Sequence, residues 1–507
     1  MGRLADLRAR LAARRSARAA TRGSGPHVLI IVQNLPVPLD RRVWMECQAL
    51  VPRGYEVSVI CPKGPGDRAR EVIDGVHLYK YRPPPEADGL TGYAWEFAYC
   101  WLRTAWLSRT VWRDHPFDVM QACNPPDTYW LLARWWKRRG VRFLFDHHDL
   151  NPELFLSRFG EPAGLVERAE LGALRWLERR TFATADKVTS TNESYRRAAL
   201  ERGGMEPSDV TVVRSGPDTR RMRPIVPTPT LPEGKETFTL AYVGIMGPQD
   251  GVDTVLHVME ELVHRRGRQD VRAVLMGFGD CLAHLQRESV ARGLDHVVEF
   301  TGRVDRDAMA AHLSNADVGL CPDLRSPLND LSTMNKTMEY MAYCLPSVSF
   351  DLVETRISGA DAVLYVPSGD VGAFADAVER LLDDDDLRVE MGLRARRRVA
   401  EVLDWRAQAA AYVSVLDSLT GRFTIVPPAP TRWRSHDELG RPYIDLHDPV
   451  ALSDFVRYRA RTRRPARVPG VRPALVRPRD PHDPRRDARA SGPFGPVPSV
   501  AGPEVDL

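Results

Sequence analysis

The stretch from residue 318 to residue 350 contains three segments, namely Val318-Gly319-Leu320-Cys321, Met334-Asn335-Lys336-Thr337-Met338-Glu339-Tyr340-Met341-Ala342 and Ser347-Val348-Ser349-Phe350. The first and last are short runs without charged residues, and the middle one has helical character. Short runs of this kind, joined by helices, are typical of parallel strands covered on both faces of a sheet. The stretch therefore predicts a strand–helix–strand unit of the α/β class.

The same alternation continues in both directions. Further strands are predicted at residues 27–34, 55–61, 117–123, 141–146, 187–191, 238–243, 271–276, 297–301 and 363–366. Residues 220–237 interrupt the series with four prolines and many charged residues, which indicates a linker. We predict two doubly wound α/β domains that face a cleft. In such sheets, ligands bind beyond the carboxyl ends of the strands.

The predicted boundaries follow from these changes in composition. They are a basic arm at 1–25, an N-terminal domain at 26–213, a crossing and linker at 214–237, a C-terminal domain at 238–404, a closing helix at 405–420 and a basic tail at 421–507. Residues 465–503 contain ten prolines and few large apolar groups, so we expect disorder there. Aromatic residues between 433 and 458 leave room for a small docked segment before it.

Composition and charge exclude several classes of protein. With 43% hydrophobic and 27% charged residues, the chain is neither wholly disordered nor fibrous. The absence of a run of 18 apolar residues argues against a membrane-spanning helix, and no secretory signal is expected. Seven scattered cysteines without a C-x-x-C pair favour a reducing compartment over disulfides or a zinc site. We therefore expect a cytoplasmic protein.

The net charge of +4 is unevenly distributed. Residues 1–22 and 421–507 each carry +6, and the part between them carries −8. Basic ends suit an anionic membrane face or another polyanion, and solvated arginine-rich ends are the alternative.

Lys336 and Glu339 are the strongest candidate site residues. They are three positions apart, so they share one face of a helix near its start. A helix N-terminus with an added lysine suits a diphosphate, and a glutamate one turn further can accept the hydroxyl hydrogens of a ribose. The alternative is an exposed ion pair without a ligand.

A glycine-bearing loop follows the predicted strand at 238–243. It contains Gly244 and Gly247, whose backbone N–H groups can approach a phosphate closely. A turn that merely needs a positive φ is the alternative.

Two polar clusters follow strands of the N-terminal domain. Residues 146–149 read Asp-His-His-Asp, with Glu153 close behind. Metal binding is one interpretation, but adjacent histidines on a strand point to opposite faces, so a binding or proton-handling loop fits better. Arg41 and Arg42 follow Asp40 at a helix start, where cations are unfavourable, so they suit an anionic ligand or a solvated face.

In this order, the motifs resemble those of the family-4 retaining glycosyltransferases of the GT-B architecture, with two Rossmann-like domains. The likeness is greatest to the bacterial exopolysaccharide and lipid-linked oligosaccharide branch. It covers roughly residues 27–419 and rests on Asp40–Glu46, Asp149–Glu153, Ser215–Asp218, Tyr242–Gly244, Lys336–Ala342 and Leu345–Val348.

The resemblance implies transfer of a sugar from a nucleotide-sugar to a hydroxyl of a glycan or lipid-linked glycan, with retention and without a metal or other cofactor. It assigns His148, Asp149 and Lys336 to catalysis and Gly244, Gly247, Lys336 and Glu339 to the donor. On the acceptor side it gives Asp40, Arg41, Arg42 and Glu153 as candidates.

The sequence also departs from the family pattern. The family's first motif glutamate would fall at Leu331, beside Asp330, and its two donor-binding cations would fall near Ile245 and Asp250. The alternatives are therefore a nucleotide-sugar epimerase of the same architecture and a non-catalytic binding protein. No nucleic-acid partner is expected, because the basic tail lacks interleaved aromatics.

Residues 93–112 are rich in tryptophan and tyrosine. Trp95, Tyr99, Leu102 and Trp106 follow a helical spacing, and arginines lie between them. Such a stripe suits the headgroup level of a bilayer, so peripheral contact with the inner face of the plasma membrane is a further expectation. The alternative is that these aromatics form the core face of the helix.

Overall fold

The computed structural model describes residues 25–84, 89–226, 237–422, 435–446 and 448–460. Its N-terminal half contains an eight-stranded sheet in the order β3-β4-β2-β1-β5-β6-β7-β8, in which only β3 runs antiparallel to its neighbour. The strands are β1 His27–Ile31, β2 Glu56–Pro62, β3 Arg70–Ile73, β4 Val76–Tyr81, β5 Val119–Cys123, β6 Arg142–His147, β7 Lys187–Ser190 and β8 Val210–Val212. The helices are α1 Arg41–Leu50, α2 Gly89–Asp114, α3 Trp130–Lys137, α4 Asn151–Phe159, α5 Leu165–Thr184 and α6 Glu193–Glu201.

The C-terminal half contains a six-stranded parallel sheet in the order β11-β10-β9-β12-β13-β14. Its strands are β9 Phe238–Ile245, β10 Val271–Phe278, β11 Val298–Gly302, β12 Val318–Cys321, β13 Ser347–Phe350 and β14 Val363–Val366. Its helices are α7 Asp253–Glu260, α8 Leu282–Ala291, α9 Arg306–Asn315, α10 Asn335–Ala342, α11 Val353–Gly359, α12 Val371–Asp383 and α13 Asp385–Val402. Two doubly wound sheets are present, which confirms the predicted fold class.

Buried apolar strands hold each half together. All residues of β1 and β5 are buried, and apolar clusters lie on both faces of the N-terminal sheet. Aspartates cap helix starts, as at Asp40, Asp370 and Asp384, where each carboxylate accepts a backbone N–H three residues on. These features explain why the alternating pattern of the sequence is sufficient for the α/β class.

The chain returns to its first half through α14, Trp405–Thr420, as the sequence predicts for a closing helix. Trp405 and Tyr412 belong to the apolar cluster of the N-terminal sheet. The Tyr412 hydroxyl donates to Oε1 of Gln121 at 2.6 Å, so α14 is bonded to β5 as well as packed on it.

Part of the predicted basic tail is folded. Tyr443 forms an antiparallel bridge with Ile225, and α15, Pro449–Ala460, packs on α13. Residues 435–446 and 448–460 thus form a docked segment of the kind for which the sequence leaves room, because Phe455 and Val456 bury their side chains beside Cys344. The basic arm to residue 24 and the tail from 461 lie outside the described residues.

The aromatic stripe of α2 faces outward. Trp95, Leu102 and Trp106 are 64%, 63% and 53% exposed, whereas Cys100, Thr104 and Leu107 are buried against the sheet. Tyr99 is half-buried and donates to the Arg82 carbonyl at 2.9 Å. Among the helices that the structure describes, none has both the length and the apolar character needed to cross a bilayer.

Candidate functional site

The helix α10 begins at the point where the strand order of the C-terminal sheet reverses. The chain leaves β9 for β10 on one side and later returns to β12 on the other, so the carboxyl ends of β9 and β12 flank a crevice. Such switch points are where α/β sheets bind ligands. Lys336 and Glu339, both on α10, are brought to this edge.

Lys336 is buried in a charged cluster that the sequence analysis only partly anticipated. Its Nζ donates to Oδ1 of Asp323 at 2.5 Å and lies 5.4 Å from the ring centroid of Tyr242. Burial opposes the charge, but the carboxylate of Asp323, with help from Tyr242 and Asp250, raises the pKa of Lys336 above its ordinary value. The lysine is therefore held as a cation.

Asp323 is a site residue that the sequence analysis missed. Only Pro322 separates it from the end of β12. Its Oδ2 is buried without a hydrogen-bond partner among the described residues. A carboxylate just beyond a strand at a switch point was the available signal.

Gly244 is needed for the close approach of Lys336. Its φ is 157°, and a Cβ at this position would lie 3.0 Å from the Tyr242 hydroxyl and 3.3 Å from Cε of Lys336. A larger residue would therefore displace the lysine.

Gly247 does not have the predicted free N–H. That group donates to Oδ2 of Asp250 at 2.9 Å, because the carboxylate reaches back over the short turn at 248–250. Burial, with Asp323 nearby, raises the pKa of Asp250 to about 6. A carboxylate thus stands where the family pattern has a cation, and it already occupies the N–H assigned to the diphosphate.

Glu339 makes a contact between the two halves of the chain. Its Oε1 accepts a hydrogen bond from Nη1 of Arg41, at the start of α1. Arg41 also places Nη2 3.5 Å from the sulfur of Met222, in the segment that joins the halves. The predicted ribose-binding carboxylate and a predicted acceptor-side cation therefore meet in the cleft.

Arg42 is not available to an acceptor, contrary to the prediction. Its guanidinium is buried and donates to both carboxylate oxygens of Asp146, at 2.9 and 2.6 Å, and to the Val213 carbonyl and the Ser215 hydroxyl, both at 2.9 Å. Arg41 and Arg42 are adjacent at the start of α1, so their side chains point in different directions. Arg41 faces the cleft, and Arg42 faces the interior.

Asp40 and Glu153 also have structural partners that the sequence could not show. Asp40 caps α1 by accepting the Val43 N–H at 3.0 Å. Glu153 accepts from Arg202, which directly follows α6, and so joins α4 to the rest of its own half. Both contacts lie within the N-terminal half, and the acceptor-side role of this pair stays a prediction.

His148 and Asp149 lie directly beyond the carboxyl end of β6. Nδ1 of His148 is 3.0 Å from Oδ2 of Asp146, and Asn124 accepts the backbone N–H groups of both His148 and Asp149, at 2.9 and 3.1 Å. Burial opposes protonation of His148, but the Asp146 carboxylate outweighs it and raises the pKa of the imidazole. Burial raises the pKa of Asp149. These two residues can hold and move a proton at this edge.

One group of potential metal ligands occurs in the described ranges. The ligand atoms of Cys123, Asp146 and His148 lie within 4.8 Å of one another. Both oxygens of Asp146 already accept from Arg42, and burial raises the pKa of the Cys123 thiol well above its usual value. These residues therefore fit a proton-holding network better than a metal.

The halves are in contact along the cleft. Asn192 donates to the Leu331 carbonyl at 2.8 Å and to the Thr333 hydroxyl at 3.0 Å, and the Tyr195 hydroxyl lies 2.9 Å from that of Ser332. Asp330 accepts the Val353 N–H at 2.9 Å, at the start of α11. Leu331, where the family's first motif glutamate would fall, thus takes part in interdomain packing. Asp330 beside it caps α11.

Comparisons with known proteins agree with this architecture. Residues 39–216 match the family model "Glycosyl transferase 4-like domain", and residues 237–384 match "Glycosyl transferases group 1". A sucrose-phosphate synthase (tll1590) from Thermosynechococcus elongatus is similar in fold, with a TM-score of 0.62, 17% identity, and coverage of 78% of this chain and 99% of that one.

Two curated relatives are similar in sequence. An alpha-D-kanosaminyltransferase of Streptomyces kanamyceticus is 29% identical over 285 residues, which is 56% of this chain and 61% of the relative. A phosphatidyl-myo-inositol mannosyltransferase of Mycobacterium leprae is 32% identical over 155 residues, 30% of this chain and 38% of the relative. The chain thus spans less than two thirds of the length of either protein.

Proposed function

The chain belongs to the family-4 glycosyltransferases of the GT-B architecture, and from this we propose that it transfers a sugar from a nucleotide-sugar to a hydroxyl of a glycan or lipid-linked glycan, with retention of anomeric configuration. The observation that carries the proposal is the placement of Lys336 and Glu339 one turn apart at the switch point, with Glu339 bonded to Arg41 of the other half. Assembly of a cell-surface polysaccharide is the pathway we propose.

Departure of the nucleotide diphosphate is the step that this site assists. An oxocarbenium-like transition state leaves negative charge on the leaving group, and fixed cations stabilise that charge. Lys336, kept protonated by Asp323, supplies one such cation beside Gly244. We propose that no metal ion is required.

Glu339 binds the ribose in this proposal. Since its Oε1 accepts from Arg41 in the structure, the ribose hydroxyls compete with the guanidinium for the same carboxylate. Arg41 contacts Glu339, which lies one turn from Lys336 on α10, so the guanidinium, once displaced, can meet the diphosphate as a second cation. This arrangement compensates for the missing cations near Ile245 and Asp250.

His148 and Asp149 act on the other side of the sugar. The bond from Nδ1 to Asp146 fixes the imidazole, and its second ring nitrogen is then the group that contacts the transferred sugar or the acceptor hydroxyl. This role depends on the position of the loop beyond β6, which Asn124 holds.

A lipid-linked acceptor fits the outer face of α2. Trp95, Leu102 and Trp106 are exposed there, and the Arg103 guanidinium lies 5.3 Å from the Trp106 ring centroid. Tryptophan with arginine is the combination typical of the headgroup level of membranes. One relative is named for a phosphatidyl-myo-inositol substrate, which supports an acceptor of this class. We propose peripheral attachment to an anionic membrane.

The decisive experiment incubates the protein with a panel of nucleotide-sugars, with and without glycan and lipid-linked acceptors. Thermal shift identifies the donor first, because a ligand at 100 times its Kd adds about 2.7 kcal/mol of stability. A new glycosidic bond of the donor's configuration, read by NMR, is the expected result. Interconversion of the donor without acceptor would indicate an epimerase, and donor binding without any turnover would indicate a binding protein.

A further inference from the structure

The C-terminal residues 435–446 and 448–460, which we call the strap, contact the far end of the helix that carries Lys336 and Glu339. We propose that the strap positions the donor site, and that Arg459 acts on donor binding through α10. The inference rests on the proposed function, since it takes α10 to be the donor-binding helix.

Arg459 is the anchor of the strap. It is 7% exposed, and its Nη1 donates to the Tyr343 carbonyl at 2.9 Å while Nη2 donates to the Cys344 carbonyl. These carbonyls immediately follow Ala342, where α10 ends. The last carbonyls of a helix lack intrahelical partners, and a cation placed there stabilises the helix. Arg459 therefore fixes one end of α10.

Close packing of α13 against the chain just beyond α10 limits movement of this end of α10. A Cβ at Gly392 of α13 would lie 2.4 Å from the Cys344 carbonyl oxygen. The Cys344 side chain packs with Phe455 and Val456 of α15, and Nη2 of Arg388 donates to the Ala460 carbonyl at 2.6 Å. α13, α15 and the end of α10 thus form one packed unit.

The strap also holds the segment that joins the halves. The Val226 N–H donates to the Pro442 carbonyl at 2.7 Å, and the Ile444 N–H donates to the Pro224 carbonyl at 3.0 Å. Tyr443 lies between Pro442 and Ile444 in the chain, and its ring centroid is 4.3 Å from the Arg223 guanidinium. The strap therefore ties the interdomain segment to the C-terminal half.

Both attachments converge on α10. Arg396 of α13 donates to the Ala342 carbonyl at 2.8 Å and to the Thr219 carbonyl at 2.9 Å, which joins the helix end to the interdomain segment. α10 has only eight residues, about 12 Å of helix, so a shift at its last turn moves Lys336 and Glu339 as well. Loosening the strap should therefore displace both donor-binding groups.

The test uses the full chain and the variant Arg459→Ala. Its matched control is Arg457→Ala, since Arg457 is exposed on the same helix, and Arg459→Lys is the conservative variant. We expect Arg459→Ala to raise the KM for the donor about fivefold or more, with kcat within about twofold and the acceptor KM unchanged. Arg459→Lys should recover part of this loss, and Arg457→Ala should behave as the parent.

Hydrogen exchange of residues 335–345 provides a second readout that needs no turnover. Faster exchange there in Arg459→Ala, but not in Arg457→Ala, is expected. Unchanged exchange would overturn the inference, as would a fall in kcat alone, which marks a loss of folded protein. If the parent transfers no sugar at all, the proposed function fails, and the exchange experiment still decides the role of the strap. Should Arg459→Ala not fold, Tyr443→Ala replaces it with the same expected changes, and Arg459→Lys should show them in part.

Discussion

Replacing Lys336 or Glu339 with alanine is expected to weaken binding of the nucleotide donor. Each substitution removes a charge-assisted hydrogen bond, which is worth about 1.5–3 kcal/mol, so the Kd for nucleoside diphosphate should rise at least tenfold in calorimetry. Parent-like affinity in both variants would contradict the placement of the donor site on α10.

Lys336→Ala also leaves Asp323 buried without its cation, which is strongly destabilising in a protein interior. The double variant Lys336→Met/Asp323→Asn removes both charges and serves as the control. Its thermal stability should exceed that of Lys336→Ala, and its affinity for the donor should remain low. Recovery of affinity in the double variant would mean that Lys336 acts only by neutralising Asp323.

Asp250 is expected to make donor binding depend on pH. Its carboxyl has a pKa of about 6, raised by burial, so it gains negative charge as the pH rises through 6. Affinity for a nucleotide-sugar, whose diphosphate does not titrate in this range, should therefore fall between pH 5 and pH 7. Asp250→Asn keeps an oxygen for the Gly247 N–H but carries no charge, so it should bind more tightly than the parent at pH 7 and show a flat profile. An unchanged profile would show that the donor does not approach Asp250.

At the level of the element, α2 is expected to bind anionic membranes. Trp95→Ala/Trp106→Ala should reduce co-sedimentation with phosphatidylglycerol vesicles several-fold, because both rings are exposed on one face. Val290→Ala, which alters a comparably exposed side chain on α8, is the control. Binding should fall with salt, and a parent that does not sediment even at low salt would contradict peripheral attachment.

For the molecule as a whole, removal of residues 465–507 is expected to leave catalysis intact. The last described helix ends at Ala460, and the residues beyond 464 have a composition that cannot bury a core. The truncated chain should keep kcat/KM for a water-soluble acceptor within about twofold of the parent. Loss of folding or of turnover would show that the tail has a structural part, and a cut after 434 should raise the donor KM because it removes the strap.

Acid stability is a second property of the whole fold. His147 is buried among the rings of Phe145, Phe182 and Tyr195, and burial lowers its pKa from 6.5 to about 3. The unfolded chain takes up a proton below pH 6.5 and the folded chain does not, so the free energy of unfolding should fall as pH drops from about 6 to about 4, by at most about 1.4 kcal/mol per pH unit from this group. Denaturant titrations should show a shallower fall for His147→Phe, and an equal slope would contradict the assignment.

The sequence by itself determined the two α/β halves, the closing helix and the segment that carries Lys336 and Glu339, whereas residues 227–236 of the predicted linker lie outside the described residues. These follow from local rules, because period, helix caps and glycine positions act within a few residues. The strands β3 and β4 and the helices α4 and α11 were not predicted, and the tertiary structure decided them.

The partners of each charge were decided by the tertiary structure alone. Arg41 and Arg42 are adjacent in sequence, yet one meets Glu339 across the cleft and the other is buried on Asp146, about a hundred residues away. Likewise, only the folded chain brings Arg459 to the end of α10 and Asp323 to Lys336. Contacts at such separations depend on how sheets, helices and the interdomain segment are arranged in space. That arrangement is set by the burial of many side chains together, which no local pattern records.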